Sequence, residues 1–209
     1  MHVAVLCSDN VRKDELFKGH DVDIQWVSNF EKFKSVEADA YLDLDFEINK
    51  SRIESLKLLL PKTVIIHSVD YTLSEINAPF IRINAWPTFL QLSVIEATST
   101  DENMKMNTEK IFHCFNKKIE WLPDVPGFVT ARVISMIINE AYFSLADGVS
   151  TKAEIDTAMK LGTNYPFGPF EWCKKIGIEK IVSLLTKLST QQSRYTPCEL
   201  LIKESAISK

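Results

Sequence analysis

Two consecutive stretches decide the fold of the second half of this chain: DVPGFVTARVISMIINEAYFSLADGV, residues 124–149, and STKAEIDTAMKLGTNYPFGPFEW, residues 150–172. Pro126-Gly127 interrupts regular structure at the start of the first stretch. Apolar residues then recur at three-to-four spacing, at Val133, Ile137, Ala141 and Leu145. Because Asp147-Gly148 is typical of a helix C-terminus, the pattern predicts one long helix between these two signals, with that apolar stripe in the core.

The second stretch predicts two further helices. Thr151 and Glu154 have the spacing of a capping box, and Ile155, Ala158 and Met159 share one helical face. Gly162 is expected to end this helix. The segment Tyr165–Pro169 predicts a rigid turn that makes Pro169 the first residue of the third helix. Five aromatic side chains are expected to be buried here: Tyr142, Phe143, Phe167, Phe170 and Trp172.

The ordered pattern PGF…NEA…L..G…IDTAMKLG..YPFGPFEW closely resembles the helical domain of the 3-hydroxyacyl-CoA dehydrogenase family, which includes the 3-hydroxybutyryl-CoA dehydrogenases. The resemblance implies a nucleotide-binding α/β domain before the helices. It also implies a homodimer that forms through the helical domain, and an NAD-linked activity on 3-hydroxyacyl-CoA substrates.

The first half of the chain reads as alternating strands and helices. Apolar, β-branched runs predict strands at 1–7, 22–27, 38–44, 63–66 and 80–84. Helices are expected near 14–18, 53–60 and 100–115. We therefore predict an α/β plus all-α protein, with a reduced Rossmann-like parallel sheet domain at 1–122 and a helical domain at 123–209.

The glycine-rich dinucleotide loop of the family is missing. Cys7, Asp9 and Arg12 stand at its three glycine positions, where side chains would block the approach of a pyrophosphate to the backbone. Trp26 stands where an acid should contact the adenosine ribose. These substitutions predict that no dinucleotide cofactor binds; NAD would be the cofactor only if the chain holds it in another way.

The resemblance also implies which residues should carry the chemistry. Glu96, expected at a strand end, matches the glutamate that orients the catalytic histidine of the family. Asn84 stands at the histidine position, Tyr71 at the serine position and Ala131 at the asparagine position. An amide cannot accept a proton near neutral pH, so the general base is lost. His67, at the predicted end of the fourth strand, is a possible but less favoured substitute.

Two functional hypotheses follow. In the first, the chain has lost dehydrogenase activity and either binds an acyl-CoA-like ligand or serves as a dimeric scaffold. In the second, it remains an NAD-linked oxidoreductase with an altered substrate range, in which Tyr71 donates the proton.

Composition excludes several other classes of function. The chain has 209 residues and a formal net charge of −4, without a basic block, so nucleic-acid binding is not expected. The four cysteines lack CxxC spacing, which argues against a metal site and a disulfide framework. The apolar run Val133–Ile138 is too short to span a membrane. Because no signal peptide precedes the first strand, we expect a cytoplasmic protein.

Overall fold

The computed structural model describes residues 1–10, 16 and 23–207. Packing divides the chain into two units, Met1–Phe128 and Val129–Lys209. The predicted domain ranges differ from these packing units by the segment 123–128, which packs with the first unit. The short helix predicted near 14–18 and the Arg12 position fall on residues outside the described ranges, Leu16 excepted.

The first unit is built on a seven-stranded sheet in the order β2-β1-β3-β4-β5-β6-β7. Every neighbouring pair is parallel except β5 and β6, which are antiparallel. The strands are β1 His2–Leu6, β2 Asp23–Val27, β3 Ala40–Asp43, β4 Thr63–His67, β5 Ile81–Ile83, β6 Val94–Thr98 and β7 Lys118–Trp121. The predicted α/β class is confirmed, and the return through β6 is the departure from an all-parallel sheet.

The described helices of the first unit are α1 Phe30–Ser35, α2 Lys50–Lys57, α3 Leu73–Ile76 and α4 Glu102–Cys114. Helix α2 begins and ends earlier than the range 53–60 predicted from apolar spacing. The reason is local, because the Asn49 side chain accepts the Arg52 N–H at 2.7 Å and so fixes the helix start.

Alternating side chains of the central strands enter two apolar cores, one on each face of the sheet. Val3 and Val5 lie in one core, while Ala4 and Leu6 lie in the other. Two-faced burial is the reason that these strands read as continuous apolar runs in the sequence.

The second unit contains helices α5 Thr130–Ala146, α6 Lys152–Thr163, α7 Pro169–Ile176, α8 Ile178–Ser189 and α9 Glu199–Ile207. The capping box of Thr151 and Glu154 and the position of Pro169 as the first residue of α7 are confirmed. Gly162 does not end α6. The helix continues to Thr163, and Asn164 adopts the left-handed conformation that terminates it.

The predicted core stripe of α5 was wrong at Val133, although Ala141 of the same stripe is buried. Ile134 and Ile138 are buried in the helical core, whereas Val133 is 50% exposed. Phe143, which was expected to be buried, is 41% exposed. Apolar residues cover both sides of α5, and tertiary packing selects the side that a periodic pattern alone cannot select.

Candidate functional site

The site expected from the sequence centres on a side-chain hydrogen bond between β5 and β6. The Asn84 side chain donates its Nδ2–H to Glu96 Oε2 at 3.0 Å, and the Asn84 backbone N–H donates to the Glu96 carbonyl at 3.1 Å. Glu96 lies in the middle of β6 and not at a strand end. The antiparallel pairing of the two strands thus brings together the two residues that the sequence singled out.

Asn84 is held in one orientation. It is buried, and its Oδ1 accepts the backbone N–H of Trp86 at 3.2 Å while its Nδ2 faces Glu96. Since the amide oxygen and nitrogen each have a defined partner, the amide presents a donor to the carboxylate. A histidine in this position would offer a titratable nitrogen, which the amide does not have.

His67 lies at the carboxyl end of β4, next to this pair. Its Nδ1 accepts the backbone N–H of Ala85 at 3.0 Å, an arrangement that assigns the ring proton of the neutral histidine to Nε2. Tyr71 lies in the loop that joins β4 to α3 and is 41% exposed. The Ser68 hydroxyl donates to the Tyr71 backbone carbonyl at 3.0 Å, which shapes this loop.

Ala131 is fully buried in the first turn of α5, within the second unit. The neighbouring Arg132 extends from the same turn, and its guanidinium carbon lies 5.8 Å from the Tyr195 ring centroid. Ala131 therefore contributes packing and offers no polar side chain for the role of the family's asparagine.

Arg82 is a buried charge that sequence reasoning missed. Its guanidinium donates to the carbonyls of Ser68 at 3.1 Å and Val125 at 2.8 Å, and it forms an ion pair with Asp124 at 3.1 Å. Burial lowers the pKa of Arg82 to about 10, although Asp124 acts in the opposite direction. The signal was present in the sequence, because one arginine interrupts the apolar run Phe80–Ile83.

The residues at the carboxyl end of β1 do not fit a dinucleotide. Cys7 is fully buried and its thiol donates to the Asp9 carbonyl at 3.2 Å. The Ser8 backbone N–H donates to Asp45 Oδ2 at 2.5 Å, so a carboxylate of the chain takes the donor that a phosphate would need. Trp26 packs against the apolar core and supplies no acid for a ribose.

Asp43 accepts hydrogen bonds from Arg52 and from the backbone of Asp45. Its two oxygens accept from Arg52 Nε at 2.9 Å and Nη2 at 2.7 Å, and Asp43 Oδ1 also accepts the Asp45 N–H at 3.1 Å. Burial raises the pKa of Asp43 to about 6, with Arg52 opposing the shift.

The helical unit carries a groove of about 560 Å³ along α5 and α6. Its walls are mainly apolar and include Val133 and Ile137, which the sequence assigned to the core, together with Ile155 and Met159. Arg194 lies at the groove, with its Nη2 2.7 Å from the Tyr195 hydroxyl.

Within the described residues, no group of three or more histidine, cysteine or acidic side chains is arranged to hold a metal ion. None of the helices in the same part of the chain is long and apolar enough to cross a membrane.

A mostly parallel α/β sheet followed by an all-helical unit defines a Rossmann-like architecture with a helical extension. A crystal structure of (S)-3-hydroxybutyryl-CoA dehydrogenase from Ralstonia eutropha has this architecture and superposes with a TM-score of 0.73. The superposition covers 89% of this chain and 71% of that one at 21% identity.

Sequence comparison identifies the family that the helical unit resembles. Residues 127–205 match the model of the 3-hydroxyacyl-CoA dehydrogenase C-terminal domain. A 3-hydroxyadipyl-CoA dehydrogenase of Escherichia coli is 44% identical over 87 residues, which are 41% of this chain and 18% of that protein. A 3-hydroxybutyryl-CoA dehydrogenase of Bradyrhizobium diazoefficiens is 32% identical over 123 residues, 58% of this chain and 42% of that protein. Residues 127–205 thus match the C-terminal domain of the 3-hydroxyacyl-CoA dehydrogenase family, and the sequence match spans less than half the length of either curated relative.

Proposed function

We propose that this chain does not catalyse hydride transfer and acts instead as a binding or oligomerising member of its family. The observation that carries the proposal is the Asn84–Glu96 hydrogen bond. Oxidation of a hydroxyl group by hydride transfer also releases a proton, which needs an acceptor. At the position of the general base the chain offers an amide that already donates to a carboxylate.

The nucleotide side supports the same proposal. Side chains occupy two glycine positions of the dinucleotide loop, at Cys7 and Asp9, and the Ser8 N–H is bound to Asp45. Loss of both the base and the cofactor cradle removes the two components that a dehydrogenase needs. The ligand class that we propose is an acyl-CoA-like molecule, as in the names of the relatives.

The deciding experiment measures reduction of acetoacetyl-CoA by NADH, together with calorimetric titration of both ligands. We expect no turnover and no binding of NADH. A matched pair of variants is Glu96→Ala and Glu120→Ala, since these glutamates lie opposite each other on β6 and β7. Turnover that disappears in Glu96→Ala and persists in Glu120→Ala would refute the proposal and favour an active NAD-linked enzyme, in which Tyr71 donates the proton.

The groove of the helical unit supports a homodimer as the assembled form. Val133 is half exposed at the groove, and Met136 and Ile137 also line it on the α5 side. Arg132 and Glu140, one turn to either side of Met136, provide opposite charges on the same face. A surface with both charges and an apolar centre is suited to a second copy that packs across a two-fold axis.

The cytoplasm is the compartment that we propose for this protein. Cys7, Cys114, Cys173 and Cys198 form no disulfide. Cysteines that are not joined in disulfides are typical of a reducing compartment.

A further inference from the structure

The order of the strands in an open α/β sheet determines where its ligand-binding crevice lies. In this sheet β1 lies between β2 and β3, so the chain leaves β1 towards one side and later adds β3 on the other. Ligands of such sheets bind outside the carboxyl ends of the strands at this switch point. The carboxyl ends of β1 and β3 are therefore where a ligand would enter the first unit.

The side chain of Asp45 connects the ends of the two strands at this crevice. The ladder between the two strands continues past Asp43, because the Leu44 N–H donates to the Leu6 carbonyl at 2.9 Å. Two residues past Leu6, the Ser8 backbone N–H donates to the side-chain Oδ2 of Asp45, the residue that follows Leu44, at 2.5 Å. The Ser8 N–H, two residues past the end of β1, is thus already bound to an anion.

The position of Asp45 is fixed by buried neighbours. Its backbone N–H donates to Asp43 Oδ1, and Asp43 is fully buried and accepts from Nε and Nη2 of Arg52. Arg52 belongs to the first turn of α2, which Asn49 caps. The position of the Asp45 carboxylate is therefore fixed by residues at the end of β3 and at the start of α2, which are more rigid than a loop without such contacts.

We propose that Asp45 is a built-in anion that takes the phosphate position at the carboxyl end of β1 and excludes a diphosphate from that position. A phosphate would have to displace the carboxylate from Ser8 N–H and then face its negative charge. Removal of Asp45 should open the position to an external anion. The inference rests on the proposed absence of a dinucleotide site and explains how the fold closes it.

Inorganic pyrophosphate is the probe, and thermal unfolding at constant ionic strength, adjusted with sodium chloride, is the readout. Asp45→Ala frees the Ser8 N–H, and we expect its Tm to fall by about 3–6 °C. Pyrophosphate should restore at least half of that fall and leave the Tm of the wild type unchanged. The matched control is Asp39→Ala, because Asp39 accepts the His2 N–H at 2.8 Å at the opposite end of β1. Its Tm should fall without recovery.

Asp45→Asn provides a second test that does not depend on a destabilised variant. The amide keeps an oxygen for Ser8 N–H and removes the charge, so calorimetry should show pyrophosphate affinity at least tenfold above that of the wild type.

Three results would overturn the inference: wild-type binding equal to that of Asp45→Asn, no recovery of Asp45→Ala, or equal recovery of Asp39→Ala. Wild-type binding of NADH would instead overturn the proposed function itself. The two failures are therefore distinguishable.

Discussion

The guanidinium carbon of Arg82 lies 4.2 Å from the centroid of the Phe128 ring, within the first unit. Arg82 is fully buried, and Phe128 adopts a positive φ of 49° that is unusual for a bulky residue. The same guanidinium binds Val125 and Asp124. The Arg82 side chain on β5 therefore contacts three residues of the segment that follows β7: Asp124, Val125 and Phe128.

Replacement of Arg82 should be the most damaging single change in the first unit. Arg82→Met removes the cation that pairs with Asp124 and the donor to three backbone carbonyls, and we expect a loss of about 3–5 kcal/mol in the free energy of unfolding, measured by urea denaturation. Asp124→Asn is the milder comparison, because its amide can keep one of its contacts to the α3 N–H groups of Leu73 and Ser74. Equal effects of the two changes would contradict the central role of Arg82.

Asn84→Asp should introduce a pH-dependent instability. The change places two carboxyl groups about as close as the present 3.0 Å bond. At pH 8 we expect a loss of about 2 kcal/mol or more in the free energy of unfolding, because like charges replace a hydrogen bond. A shared proton raises the pKa of the pair in the folded state, so stability should recover as the pH falls to 5. A loss that is independent of pH would show that the charges do not interact.

The pH profile of Asp43→Asn tests the buried ion pair. Burial raises the pKa of Asp43 from 3.8 to about 6 in the folded state. The folded chain then holds the proton more tightly than the unfolded chain, so the contribution of Asp43 is complete below pH 3.8 and declines as the pH rises to about 6. The difference in unfolding free energy between wild type and variant should decrease across this window. A rising difference would mean that Arg52 dominates.

Gly168 and Gly162 form a matched pair for alanine substitution. A Cβ at Gly168 would meet the Asp156 side chain at 2.3 Å, and Asp156 Oδ1 is already bound to the Phe170 N–H at 2.8 Å. We expect Gly168→Ala to cost about 1–3 kcal/mol by overpacking. Gly162 has open space inside α6, so Gly162→Ala should stabilise by about 0.5–1 kcal/mol. Thermal unfolding of both variants checks the opposite signs.

A negative charge introduced in the groove of the helical unit should prevent formation of the proposed homodimer. Val133→Asp should abolish a homodimer because it buries a carboxylate in the apolar centre of the proposed interface. Val149→Asp is the control, since Val149 is 72% exposed and is not among the groove residues. Light scattering should give a mass near 23.8 kDa for the first variant and near twice that for the second. Equal masses for the two variants would exclude this face.

Local signals in the sequence predicted the helical unit well. The capping box at Thr151 and the proline at position 169 act through contacts within one turn, so a short window contains the whole cause. The same window does not show what packs against a helix. Val133 was therefore assigned to the core, although Ile134 occupies it.

The candidate site was predicted only in part. The positions of Asn84 and Glu96 came from the resemblance, but their hydrogen bond depends on the pairing of β5 with β6, which no local pattern specifies. The contact between Ser8 and Asp45 was missed for the same reason, because it joins residues 37 positions apart across two parallel strands. Contacts that depend on the pairing of distant strands could not be predicted from the sequence alone.

The antiparallel return through β6 constrains how this site can diverge. Successive side chains of a strand point to opposite faces, so a one-residue deletion between Val94 and Glu96 would turn the carboxylate away from Asn84. A substitution at position 84 changes only the chemistry of the pair, and the meeting of the two positions survives. This corner of the fold therefore keeps its geometry when a side chain is replaced and loses it when the length of the strand changes.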